Sequence, residues 1–452
     1  MDGWAKWQQI DSVKKQLRDN QPKVAFVVAD AKTGAVLEAR AADERLPPAS
    51  VAKTMTSLFA LEKLGPSHRF VTRVLATGRM ANGVVQGDLI LAGGGDPTLQ
   101  TDQLGDLVAR LRVAGLKGVT GQFRYWDGAL PQIDGIAADQ PAHVGYNAAI
   151  SGLNLNFNRV NFEWTRAGQD WSVVVDARGE RFLPPVSMVG VRIADRQVPL
   201  FTYEKGSDRE DWTVAAGALG KGGSRWLPVR HPGRYTAEVF RVLARAQGID
   251  LPPASAAAAA AGTEIGRIES EPLSEVLRDM LKFSTNLTAE AVGLAASQAA
   301  TLAASGAAMS AWAKATFGIN PGLVDHSGLG GASRISTADM VRMLIAAHRD
   351  GRGLRDILRE VGMRDDSGQE IEGSPIRVLA KTGTLNFVSC LAGHIVPPQG
   401  RELVFAIFSG DPARRDAVPV TLREEPEGGK AWTKRARRLQ GQLVARWAKA
   451  YG

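Results

Sequence analysis

Pro47-Pro48-Ala49-Ser50-Val51-Ala52-Lys53 closes an extended segment and opens a helix that runs through Met55, Leu58 and Leu61 to Gly65. A serine and a lysine three apart at a helix start share one face, one turn apart, so the amine can take the hydroxyl proton. Ser50 would also sit where the helix N-terminus favours developing negative charge. Before this stretch, the apolar run from Lys23 to Ala29, the polar Asp30 to Gly34 and then Ala35 to Glu38 read as a β-hairpin. Near the other end Ile376 to Ala380, Phe387 to Val396 and Glu402 to Phe408 read as three strands. Two early strands and three late ones can complete one antiparallel sheet. Apolar residues at helical spacing in Trp4 to Leu17 and in Trp432 to Tyr451 predict two terminal helices covering a face of it.

Two later patterns join Ser50 and Lys53. They are Ser284-Thr285-Asn286 and Lys381-Thr382-Gly383. Singly each is weak, since Ser12-Val13-Lys14-Lys15 and Lys32-Thr33-Gly34 are second copies. Context separates them. Ser12 lies inside an amphipathic helix with no break before it, and Lys32-Thr33-Gly34 occupies a hairpin tip where glycine serves the backbone. Ser50 follows a Pro-Pro stop, and Lys381 stands between runs of strand residues. Asp325-His326-Ser327 invites a catalytic triad, but adjacent residues do not readily converge on one point, and turn chemistry explains them better. Ser284 as a helix cap and Asn286 as a surface polar residue are the plainer alternatives for the middle motif.

The ordered set Ser-x-x-Lys, Ser-x-Asn, Lys-Thr-Gly is more specific than its members. It resembles the penicillin-recognising serine enzymes. The long gap between Ser50 and Ser284 is similar to that of the penicillin-binding protein 4 type of D-alanyl-D-alanine carboxypeptidase/endopeptidase, serine peptidase family S13. Gly87-Asp88-Leu89 to Gly94-Gly95-Asp96-Pro97, Ser327-Gly328-Leu329 and Leu391-Ala392-Gly393 agree with it, so the resemblance spans about Lys23 to Phe408. Thr285 stands in place of a frequent Asp, and Asn386-Phe387 in place of small residues.

The resemblance implies an α/β, transpeptidase-like fold with an antiparallel sheet covered by helices, plus inserted mainly β domains. Residues 1–75 and 272–452 would form a split catalytic domain, 76–157 and 226–271 an inserted domain, and 158–225 a second one nested within it. It implies an acyl-serine on Ser50, Lys53 as base, Ser284 as proton relay to the leaving amine, and Asn286 positioning Lys53 and the substrate. Lys381, Thr382 and Thr384 would bind the terminal carboxylate, with Gly383 between them, and the N–H groups of Ser50 and Thr384 would form the oxyanion hole. A lysine titrates at about 10.4 unperturbed, so Lys53 needs burial or a nearby cation such as Lys381 to act as a base. The implied partners are peptidoglycan stem peptides, with β-lactams as covalent inhibitors; a serine β-lactamase and a non-catalytic peptidoglycan-binding module are the rivals.

Composition bounds the rest. At 452 residues the chain allows roughly three domains of about 150 residues. A net charge of +8 suits an anionic polymer, but no basic cluster interleaved with aromatics lies outside Lys430 to Lys449, which argues against nucleic acid. Cys390 is the only cysteine and the six histidines lack metal-ligand spacing, so no metal and no cofactor is expected. The opening residues lack a secretory signal, so the chain is cytoplasmic or the signal has been removed; the resemblance favours the periplasm or cell envelope. The uncharged run Ala291 to Trp312 is long enough to span a membrane but rich in small residues, which predicts a packed helix and membrane contact that is peripheral at most.

Overall fold

The computed structural model describes residues 23–206, 209–364 and 369–452; the N-terminal helix expected over Trp4 to Leu17, with Ser12, lies outside them. The chain divides into two compact units, one of residues up to 65, 277–285 and 302–452, the other of 66–276 and 286–301.

The first unit is built on five strands: β1 (Lys23–Asp30), β2 (Val36–Arg40), β3 (Arg377–Leu385), β4 (Val388–Val396) and β5 (Leu403–Gly410). They lie in the order β3-β4-β5-β1-β2 and every neighbour is antiparallel. This is the single sheet the sequence predicts. The turn after β1 is held by the Asp30 carboxylate, which accepts from Thr33 N at 2.6 Å, while Gly34 takes φ 72°. Lys32-Thr33-Gly34 is thus a hairpin tip. The first late strand runs past Ala380, so that Lys381, Thr382 and Gly383 are strand residues rather than a loop beyond one.

Helices cover the sheet because alternate strand residues face opposite ways. Four are relevant: α1 (Ala52–Leu64), α2 (Leu302–Phe317), α3 (Thr337–Arg349) and α4 (Gly429–Tyr451). On one face Val24, Phe26, Leu391, Phe405 and Ile407 pack against Leu439, Leu443, Val444 and Trp447 of α4. Each such large side chain contributes about 1.5–3 kcal/mol by leaving water. Phe26 and Trp447 meet edge to face at 5.5 Å. Glu38 on β2 fastens the end of α4, accepting from Arg446, from Trp447 Nε1 at 3.0 Å and from Tyr451 OH at 3.4 Å. The C-terminal helix is therefore a layer of the core. On the other face α3 packs on β1 and β5, its N-terminus capped by Ser336, whose hydroxyl accepts from Asp339 N.

The second unit holds a five-stranded sheet in the order Ser255–Ala256, Phe123–Trp126, Leu89–Ala92, Val71–Ala76, Thr263–Glu269. Two three-stranded sheets occupy much of residues 159–228. The mainly β character expected of this stretch is present, together with two helices that the sequence reading passed over, Thr101–Val113 and Pro232–Ala246.

One expectation is corrected. Ala291 to Trp312 does not lie in one helix: Asn286–Ser297 ends, and α2 begins at Leu302. Gln298 turns left-handed at φ 55° and Ala299 N bonds the Ser297 hydroxyl instead of continuing the ladder. Among the described residues no helix is long and apolar enough to cross a membrane.

Candidate active site

Ser50 lies in a single 3-10 turn, Ala49–Val51, that leads straight into α1. Pro48 starts the turn and Ala49 holds φ 47°, a costly left-handed conformation for a residue with a Cβ. Lys53 follows in the first turn of α1 and is wholly buried. Its Nζ lies 2.9 Å from Ser50 Oγ and donates to the Ser327 carbonyl at 2.9 Å. The three-residue spacing therefore delivers what it predicts, an amine in contact with a hydroxyl.

The Ser327 carbonyl is held by a loop organised around Asp325. That buried carboxylate accepts from Gly330 N at 2.6 Å, Ser333 Oγ at 2.8 Å and Gly328 N at 3.2 Å. Burial pushes its carboxyl up, against these bonds and the attraction of Lys53. His326 turns elsewhere, its Nε2 2.6 Å from Ser305 Oγ, and burial pushes the imidazole down to about 3, so it stays neutral. Asp325, His326 and Ser327 thus serve three different partners and form no triad. Gly328 sits at φ 73°, where a Cβ would lie 1.9 Å from the Ala49 carbonyl oxygen. This loop packs directly on the turn that carries Ser50. The sequence reading placed turn chemistry here but missed the carbonyl of Ser327 as a partner of Lys53; the Ser-Gly-Leu run after His326 was the available signal.

Along β3, Lys381 and Gly383 are buried while Thr382 and Thr384 are exposed, as strand alternation requires. Lys381 Nζ donates to Ser284 Oγ at 3.0 Å and to the Thr382 carbonyl at 2.8 Å. Burial, and then the Arg359 guanidinium, bring its ammonium down to about 8. Arg359 enters because residues 359–361 pair with β3 through Ala380 N to Arg359 O and Val361 N to Val378 O. Ser284 follows the helix Leu273–Phe283 and holds φ 61°, which turns the chain there. A Cβ on Gly383 would meet Pro48 O at 2.7 Å and Ser50 N at 3.1 Å, so β3 passes close against the Ser50 turn.

Ser50, Lys53, Ser284, Lys381 and Gly383 are therefore brought together within the first unit. Thr382 and Thr384 line a cavity of about 290 Å³ together with Met363, Val378, Leu391 and Val444, side chains of the cluster that α4 covers. Asn286 is the first residue of the helix Asn286–Ser297 in the second unit, where its Nδ2 donates to the Tyr146 carbonyl at 3.1 Å.

The histidines are less scattered than the sequence suggests. Ring nitrogens of His348 and His394 and an oxygen of Glu402 lie within 4.8 Å of one another. Glu402 is already engaged, accepting from His394 Nδ1 at 3.0 Å and from Arg355 Nε and NH2 at 2.9 and 3.1 Å. A guanidinium already supplies the positive charge there.

The family model for the D-Ala-D-Ala carboxypeptidase 3 (S13) family matches residues 7–425. A D-alanyl-D-alanine carboxypeptidase from Actinomadura sp. (strain R39) is 26% identical over 94% of this chain and 86% of its own length. A D-alanyl-D-alanine carboxypeptidase from Haemophilus influenzae is 26% identical over 83% of this chain and 82% of its own. Among solved structures, penicillin binding protein 4 from Haemophilus influenzae superposes with a TM-score of 0.75 at 21% identity, covering 96% of this chain and 99% of that one. A predatory peptidoglycan endopeptidase from Bdellovibrio bacteriovorus gives 0.52 at 15% identity, with 94% of each chain covered. These structural likenesses carry the fold.

Proposed function

The chain belongs to the D-Ala-D-Ala carboxypeptidase 3 (S13) family and is a serine-type D-Ala-D-Ala carboxypeptidase, and we propose that Ser50 is its nucleophile and Lys53 the base. The observation that carries this assignment is the 2.9 Å contact between Lys53 Nζ and Ser50 Oγ. Uncharged, the amine accepts the hydroxyl proton as Oγ attacks the carbonyl of the penultimate D-alanine. The tetrahedral oxyanion is held by the N–H groups of Ser50 and Thr384. In support, Ala380 N and Val378 O face outward from β3, and the alternation carries Thr384 N outward as well, near the Ser50 turn. Ser284, bonded by Lys381, passes a proton to the leaving amine. The C–N bond breaks, D-alanine departs, and water then hydrolyses the acyl ester and restores Ser50.

Lys381, Thr382 and Thr384 bind the terminal carboxylate, and Asn286 binds the substrate peptide group. β-Lactams enter the same path and acylate Ser50, and cross-links that present the same D-alanyl bond are cleaved by it. The enzyme works on peptidoglycan in the cell envelope or periplasm. Its insertion comprises one domain, 76–157 and 226–271, with a second, 158–225, nested in it; the two three-stranded sheets over 159–228 support that division. The test is D-alanine release from a peptide ending in D-Ala-D-Ala, followed beside penicillin turnover on the same preparation. Release of D-alanine that is lost in Ser50→Ala and Lys53→Met, with a long-lived penicillin adduct, is expected. Rapid multiple turnover of penicillin without D-alanine would favour a β-lactamase.

A further inference from the structure

Lys53 becomes an ammonium when it takes the Ser50 proton, and it does so in a poor place for one. It is wholly buried and stands in the first turn of α1, where the helix dipole opposes a positive charge and no acidic residue of that turn answers it. A buried ammonium is costly unless an opposite charge is close. Asp325 offers one from outside the helix. It is 2% exposed and attracts Lys53, and Ser327, two residues on, supplies the carbonyl that accepts from Lys53 Nζ. Burial favours the neutral acid, but Gly330 N, Gly328 N and the Ser333 hydroxyl all donate to the Asp325 oxygens, a pattern that a carboxylate satisfies. The other charged or titratable groups nearby do not offer the same. Lys381 and Arg359, on the β3 side, carry the same sign as the ammonium. His326 stays neutral on Ser305, and Arg334 donates to the Gly331 and Ser333 carbonyls. Lys63 and Glu62 lie in the last turn of α1, the latter bonded to Arg352 and Trp312.

We infer that Asp325 is a positioning residue for the base: it aims the Ser327 carbonyl at Lys53, and its charge steadies the ammonium that Lys53 becomes on taking the Ser50 proton. This rests on the assignment of Ser50 and Lys53 above. The proton passes from Ser50 Oγ to Lys53 Nζ as the bond from Oγ to the substrate carbonyl carbon forms, and Asp325 neither gains nor loses one.

The experiment follows the rate of penicillin acylation of the full chain against pH, reading the adduct on Ser50. The rate rises with pH as Lys53 gives up its proton. Removing a nearby negative charge makes an ammonium easier to deprotonate, so Asp325→Asn should move that rising limb down by about 1–3 pH units. The plateau above the limb should fall about three- to thirtyfold, because a weaker base takes the Ser50 proton more slowly. A role in loop structure alone would lower the rate and leave the limb in place. Ser333→Ala removes one bond to the same carboxylate and touches neither Ser50 nor Lys53. It should move the limb the same way by less, and it carries the test if Asp325→Asn does not melt cooperatively. If the limb stays at the parent pH or moves up in the folded variants, while the adduct still forms on Ser50, the role of Asp325 is overturned and the peptidase assignment stands. A parent protein that forms no adduct on Ser50 overturns the assignment of Ser50 and the role of Asp325 with it.

Discussion

A Cβ placed on Gly383 would stand 2.7 Å from the Pro48 carbonyl oxygen, closer than side chains come without something moving. The Lys-Thr-Gly strand and the Ser50 turn are packed backbone to backbone, and the glycine is what permits it. Gly383→Ala should therefore push β3 off the turn and misplace both Thr384 N and the Ser284–Lys381 pair. Penicillin acylation should slow by about a hundredfold, the usual cost of a 1 Å displacement in a catalytic site. The check is the acylation rate beside a thermal melt; an unchanged rate in a folded variant would remove the packing argument.

Lys381 holds its proton weakly, at about 8, because burial and the nearby Arg359 both oppose its charge. It is charged below that pH and neutral above. If the charge serves an anionic substrate, kcat/KM for a D-Ala-D-Ala peptide should fall as pH rises through about 8. Arg359→Gln removes a neighbouring positive charge and makes protonation easier, so the falling limb should move to higher pH. A limb that stays or moves down would contradict the coupling. For stability the sign is opposite to a stabilising pair: the buried charge costs folding free energy below about 8, and that cost fades as pH climbs toward 10.5.

Glu402 works in the other direction. Burial pushes its carboxyl up, but the bonds from His394 and Arg355 outweigh this and hold it down at about 2. A depressed carboxylate stabilises the fold above its unfolded value and loses that contribution as pH falls toward 2. Glu402→Gln should cost about 1–2 kcal/mol at pH 7, discounted for partial exposure, and progressively less toward pH 3. Urea midpoints across that range provide the check, and a constant difference would show that charge is not the cause.

Trp447 separates a core helix from a surface anchor. It is fully buried against Phe26 and Phe405, with its indole N–H on Glu38. Trp447→Ala should cost about 3–5 kcal/mol in denaturant unfolding. A loss under about 1 kcal/mol would place α4 outside the core.

The first unit was largely legible because its signals are local or periodic. Pro47-Pro48 stops a strand, Ser50 and Lys53 are spaced one turn apart, and apolar alternation marks each strand of the sheet. The contact of Arg437 with Thr384 was hidden because nothing in a basic amphipathic helix says which of Lys434, Arg435, Arg437 and Arg438 makes it. The Ser327 carbonyl was missed because a backbone atom is not named by a residue type, and Ser327-Gly328-Leu329 marks only the turn that carries it. His348 and His394 meet through tertiary packing, one on α3 and one on β4, which spacing along the chain does not report. The Ala291 to Trp312 run misled because its small residues suit a helix throughout, and the left-handed turn at Gln298 carries neither Gly nor Pro to announce it.

The most direct test of the account is the intact mass of the native protein before and after exposure to penicillin, followed by peptide mapping. Lys53 Nζ at 2.9 Å from Ser50 Oγ predicts one covalent adduct per chain, on the peptide that contains Ser50, absent in Ser50→Ala and slowed by orders of magnitude in Lys53→Met. No adduct on natively folded protein, or an adduct on another serine such as Ser12, would contradict it.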